Sequence, residues 1–122
     1  MSREEIAHLI LRLGVAFAFL YPPFKAIGDP YSWVGYFPQF VRDLPVDSVL
    51  VLHAFGVVEV IIAIWLITGW RVAYPAALAA LMLLGIVAFN LNQLDVVFRD
   101  VSIAAAALAL VVWNAAWPSE IA

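Results

Sequence analysis

Two charges sit inside long apolar runs: Arg12 between Ile6 and Lys25, and Glu59 between Val49 and Thr68. A lone charge at the centre of a membrane helix costs about 2.5–3.5 kcal/mol on insertion scales, so such residues face inward and pair. Arg12 lies ten residues before Pro22, and Glu59 lies eleven after Ser48. At a rise of about 1.5 Å per residue, antiparallel helices would hold them at one depth. The expectation is a buried Arg12–Glu59 pair. It would either fix helix packing or serve a proton or anion relay.

A second polar group gathers where the same helices leave the apolar layer. It holds Lys25, His53, Asn90, Gln93, Asp95, Arg99 and Asp100. One reading is an ordinary polar helix end. The other is a candidate ligand cavity between the first, second and fourth helices. Lys25, His53, Asn90, Arg99 and Asp100 would surround its mouth, and Arg12 and Glu59 its base. An anion or a quinone head group would suit it. His53, Gly56, Glu59 and Ala63 fall on one helix face, and so do Glu5, His8, Arg12 and Ala16. The two histidines would differ in depth by roughly 10 Å or more, which excludes one haem iron shared within the chain. There is no cysteine, which excludes disulfide relays, thiolate catalysis and iron–sulfur ligation. No metal site and no cofactor-binding motif is expected. The six basic residues are scattered, so no nucleic-acid stripe exists.

The elements that must carry these residues follow from composition. The chain has 122 residues, 66% hydrophobic and 12% charged, with a net charge of −3. A soluble domain carries about 25% charged residues. A water-soluble fold of this size could not hide so much apolar surface. The expected fold is all-α: one domain over 1–122, an integral membrane antiparallel four-helix bundle. A spanning helix needs about 20 apolar residues. Four runs meet this, giving helices near 5–25, 48–69, 73–93 and 100–117. Ser2 and Glu5 form a capping-box pattern before the first. Asp47 or Ser48 suits the cap of the second, and Gly69 its close. Pro22-Pro23 should bend or end the first helix. Pro75 fits the first turn of the third, Asp100 the start of the fourth, and Pro118 its stop. The first apolar run lacks a small-x-small cleavage site and is expected to be retained. The connection from Asp29 to Asp47 is long and aromatic. Trp33, Tyr36 and Phe37 read as an interfacial belt, with a short surface helix over 33–44. Basic residues divide almost evenly between the two ends, so charge does not orient the bundle.

Short motifs in order give the chain a family likeness: Arg12-x-Gly14, Phe24-Lys25, Leu44-Pro45, Gly56-x-x-Glu59, Leu66-x-x-Gly69, Arg71 and Phe98-Arg99-Asp100. With these the chain resembles the DoxX-like small four-helix membrane proteins over nearly its whole length. Ala63 stands where members often have glycine. The resemblance implies a multi-pass protein of a bacterial or archaeal plasma membrane, with both termini cytoplasmic and a link to redox metabolism. Some members look like the membrane subunit of thiosulfate–quinone oxidoreductases. The function implied is a redox-associated subunit holding a quinone or a small sulfur anion for a partner oxidoreductase. The rival readings are a small transporter or channel, and a structural or assembly subunit without its own activity. Whether the chain is itself an enzyme stays open. Membrane lipid is the expected surrounding partner, with a redox subunit or a second copy of the chain as further ones.

Overall fold

In the computed structural model, which describes residues 2–35 and 37–114 apart from the Val96 side chain, Ser2 opens the first helix. The Ser2 hydroxyl accepts from the Glu5 amide at 3.1 Å, and the Ser2 amide donates to Glu5 Oε1 at 3.1 Å. The helices are α1 (Arg3–Gly28), α2 (Tyr31–Val34), α3 (Gln39–Arg42), α4 (Ser48–Thr68), α5 (Ala73–Ala88) and α6 (Leu94–Asn114). A 3₁₀ turn over Leu91–Gln93 joins α5 to α6. No strand occurs among the described residues.

The first helix does not end near residue 25 as expected. It runs through Pro22 and Pro23 to Gly28. Neither proline can donate to the carbonyl four residues back, which costs α1 two of its own bonds. Packing compensates: Pro23 fills a notch at Gly56, where a Cβ would stand 3.4 Å from Pro23 Cβ. Neighbouring helices commonly carry prolines inside membrane helices in this way.

The second long helix, α4, follows its caps. Asp47 Oδ1 accepts from the Val49 amide at 3.0 Å. Gly69 closes the helix at φ 76°, a left-handed conformation natural to glycine. The third and fourth helices meet sooner than expected. α5 stops at Ala88, because Asn90 leaves helical geometry at φ −133° and turns the chain. α6 then begins at Leu94 rather than Asp100, with Asp95 in its first turn. Residues 115–117, Pro118 and Tyr36 lie outside the described residues.

The long connection forms two single-turn helices instead of one over 33–44. Gly35 and Pro38 separate α2 from α3. Phe37 meets Phe55 edge-on at 5.7 Å between ring centres, and Phe40 meets Phe89 at 6.0 Å. These contacts drape the connection over the start of α4 and the end of α5.

The four long helices share one apolar core. It contains Val15 and Phe19 of α1, Ile62 and Leu66 of α4, Leu83 of α5 and Leu110 of α6. α1 packs chiefly along α4, and α5 chiefly along α6; the α1–α6 and α4–α5 seams are slighter. Ala76, Ala79 and Ala80 of α5 and Ala104 and Ala107 of α6 are buried, so the α5 and α6 backbones approach closely. Phe17, Leu50, Ile61 and Leu81 lie outward and exposed. By length and composition α1, α4 and the Val97–Asn114 part of α6 can each cross a membrane. At sixteen residues, α5 reaches about 24 Å, short of the ~30 Å hydrocarbon layer. The protein is thus an all-helical membrane protein with three helices of spanning length.

Candidate functional site

Arg12 leaves α1 toward the end of α4, not toward Glu59. Its Nη1 donates to the Leu66 carbonyl at 3.1 Å and the Ile67 carbonyl at 3.2 Å. The last carbonyls of a helix lack partners within it, and the dipole there favours a cation. Arg12 satisfies both needs. Gly69 makes room, since a Cβ there would run into the guanidinium. The Arg12 Nε is buried without a hydrogen-bond partner among the described residues. No ion pair joins Arg12 to Glu59, whose carboxylate hydrogen-bonds to none of the described residues.

The reason lies in the depth of Arg12. Counting back from Pro22 as a helix end placed Arg12 mid-layer, but α1 continues to Gly28. Two contacts fix the antiparallel register, Arg12 against Gly69 and Pro23 against Gly56. Interpolation puts Glu59 level with Leu20 and Tyr21, about two turns from Arg12 along the bundle.

Glu59 lies within electrostatic range of Asp100 instead. On α4 the buried positions are Leu52, Gly56, Ile62, Ala63 and Leu66, and Glu59 lies on the same face, partly buried. On α6 the buried positions Val97, Ala104, Ala107 and Leu110 share their face with Asp100, also partly buried. α4 and α6 stand diagonally in the bundle, so both faces look into its centre. The Asp100 carboxylate is close enough to act on Glu59 electrostatically, and Arg99 acts on Asp100 in turn. Two acids that the sequence placed in separate groups thus lie on inward faces within electrostatic range of each other. Glu59 was visible as a charge in an apolar helix and Asp100 as a charge at a helix start; the diagonal packing that brings their faces together was not.

The other expected mouth residues do not converge. Lys25, His53 and Arg99 are exposed. His53 fails by phase: Leu52, four residues before Gly56, takes the inward place, and His53 is rotated off that face. Lys25 likewise stands beside the buried Ala26. Asn90 is buried at 3% exposure and shapes the chain corner, its Nδ2 donating to the Ile86 carbonyl at 2.8 Å. Among the described residues no three His, Cys, Asp or Glu side chains gather as metal ligands.

Open clefts lie elsewhere. One, of about 300 Å³, is at the opposite end and is lined by Glu4, Glu5, His8, Arg12 and Trp113. Sequence reasoning put His8 on the inward face with Arg12 but missed its partner on α6. His8 Nε2 lies 3.0 Å from Asn114 Oδ1 and 2.8 Å from Asn114 Nδ2, so it donates to one or accepts from the other. Its ring also meets Trp113 edge-on at 5.0 Å. The start of α1 and the end of α6 are therefore tied at one end of the bundle. A second cleft, of about 330 Å³ and mostly apolar, runs along the flank of α1 and α6 between Gly14 and Ala106.

Comparison with curated proteins finds no match, and comparison with solved structures finds none. A family model described as DoxX matches residues 7–91, from the first turns of α1 through α5 to the corner before α6. That stretch contains Arg12, Gly56, Glu59 and Gly69 and makes up most of the chain, so this protein belongs to the DoxX family.

Proposed function

We propose that this protein is a redox-associated membrane subunit that holds a quinone as substrate for a partner oxidoreductase. The observation that supports it is that Glu59 and Asp100, both partly buried, lie on the inward faces of two helices of spanning length, within electrostatic range of each other. Reduction of a quinone to a quinol takes two electrons and two protons. The partner would supply the electrons. The acid pair would pass the protons, since carboxyl groups within reach of a reacting oxygen act as general acids. A small sulfur anion suits this centre less well, because two carboxylates repel it.

In this reading the bundle has four spans, α5 completing its crossing with the turn that follows it. The aromatic connection with α2 and α3 lies at the membrane surface. Both termini face the cytoplasm of a bacterial or archaeal cell. A proton-coupled transporter is the second reading, because an interior acid pair would serve it equally.

Saturable binding of a decyl-chain quinone to the protein in nanodiscs tests the proposal. The expected result is binding that the Glu59→Gln, Asp100→Asn double variant weakens several-fold. Absence of saturable binding, together with proton-driven solute flux in liposomes, would replace the quinone reading with the transporter.

A further inference from the structure

At the turn between α4 and α5, three aromatic rings stack beside an arginine. Trp65 lies against Trp70 with ring centres 6.2 Å apart and planes at 25°. It also lies against Tyr74 at 6.5 Å and 25°. The Trp65 indole N–H donates to the Trp70 carbonyl at 2.6 Å, which locks the turn onto the end of α4. The Thr68 hydroxyl donates to the Trp65 carbonyl at 2.6 Å. The Arg71 guanidinium stands over the Trp70 ring, 5.1 Å from its centre. Val72, next to it, is buried at 2%.

The surroundings of this arginine are one-sided. Between Glu59 and Asp95 it is the single charged residue in the sequence. No carboxylate of the described residues pairs with it, and the Trp70 ring is its contact. Its N–H donors meet no acceptor among the described residues. Trp70 and Tyr74 are 62% and 60% exposed. The turn follows Thr68, the last residue of the α4 span, and so stands where that span leaves the apolar layer.

We propose that Trp70, Arg71 and Tyr74 form a docking clip for the headgroup phosphate of an anionic phospholipid. Stacked Trp and Tyr rings suit the headgroup level, with apolar faces toward the chains and polar edges toward water. A guanidinium presents a planar fork of donors that matches a phosphate bidentately. The ring beneath holds that fork in place, and no acid among the described residues competes with the lipid for it. Such a clip fixes this end of α4 and α5 to the membrane surface independently of any quinone reaction.

Native mass spectrometry of the whole chain in detergent, with added phosphatidylglycerol or phosphatidylcholine, tests this. Arg71→Gln is expected to lower retained phosphatidylglycerol about fivefold, the effect of one basic group at an anionic surface. Phosphatidylcholine retention should stay unchanged. Arg71→Lys should fall between parent and Arg71→Gln, because it keeps the charge and loses the fork. Arg42→Gln, on the other connection, should behave as the parent. Equal retention by Arg71→Gln and the parent would overturn the clip, as would an equal loss in Arg42→Gln. Displacement of the lipid by millimolar inorganic phosphate would also overturn it, since the site would then be one for free phosphate. Circular dichroism checks folding, and Arg71 is exposed enough for glutamine to leave the helices intact.

Discussion

Replacing Arg12 with leucine should destabilise the bundle by freeing the end of α4 rather than by stranding Glu59. The arginine makes two bonds to carbonyls, to Leu66 and Ile67. A bond with one charged partner contributes about 1.5–3 kcal/mol net. Both rise from one nitrogen, so the lower figure for each is apt and the loss is about 3 kcal/mol. Gly69→Ala attacks the same contact from the other side. It places a side chain at φ 76°, which costs about 1–2 kcal/mol, and its Cβ displaces the guanidinium. Alone it should therefore cost about 4–5 kcal/mol, but in the Arg12→Leu background only about 1–2, the backbone part. The measurement is a double-mutant cycle from reversible unfolding in mixed detergent micelles. Costs that add within about 0.5 kcal/mol would refute the Arg12–Gly69 contact as drawn. A neutral Arg12→Leu would refute the capping role altogether. A large coupling of Arg12 to Glu59→Ala would restore the ion pair that the sequence suggested.

Other substitutions probe the remaining contacts. Gly56→Ala should melt close to the parent, since its Cβ meets Pro23 at ordinary contact distance; Gly56→Leu should cost about 1–3 kcal/mol by overpacking the notch, read from the same unfolding assay. His8→Phe keeps a ring beside Trp113 but removes the bond to Asn114, and should cost about 1 kcal/mol, with faster amide exchange at the last turn of α6. Asn90→Ala removes the bond to the Ile86 carbonyl and should cost a similar ~1 kcal/mol, with a lower midpoint in thermal melts.

Local signals carried the start of α1 and both ends of α4. Ser2 with Glu5, Asp47 and Gly69 each bind or adopt the backbone that their residue types suggest, because a cap depends only on neighbours in sequence. The interior was harder to read. A double proline reads as a bend or an end unless Gly56, more than thirty residues away, is known to receive it. From that error followed the wrong depth for Arg12. His53 was misplaced by helical phase alone: a step of three residues falls short of a full turn, and the inward seat went to Leu52. Glu59 was recognised as a charge that an apolar helix must justify, whereas Asp100 was read as the start of the fourth helix. Their proximity depends on α4 and α6 lying diagonally, and spacing along one chain does not encode which helices face each other across a bundle.

The proline pair has a mechanical consequence. The carbonyls of Ala18 and Phe19 lose the amide donors that residues 22 and 23 would otherwise supply. Two missing rungs side by side leave α1 compliant at this level and stiff above and below it. The lower arm, from Phe24 to Gly28, leads directly into the connection that carries α2 and α3. A push on that connection, from a partner or from the lipid surface, would swing the arm about Pro23 in its Gly56 notch. The upper part of α1, clasped by Arg12 to the end of α4, would stay still. The hinge lies within a turn of the level of Glu59, so bending there would alter the space around the acid pair first.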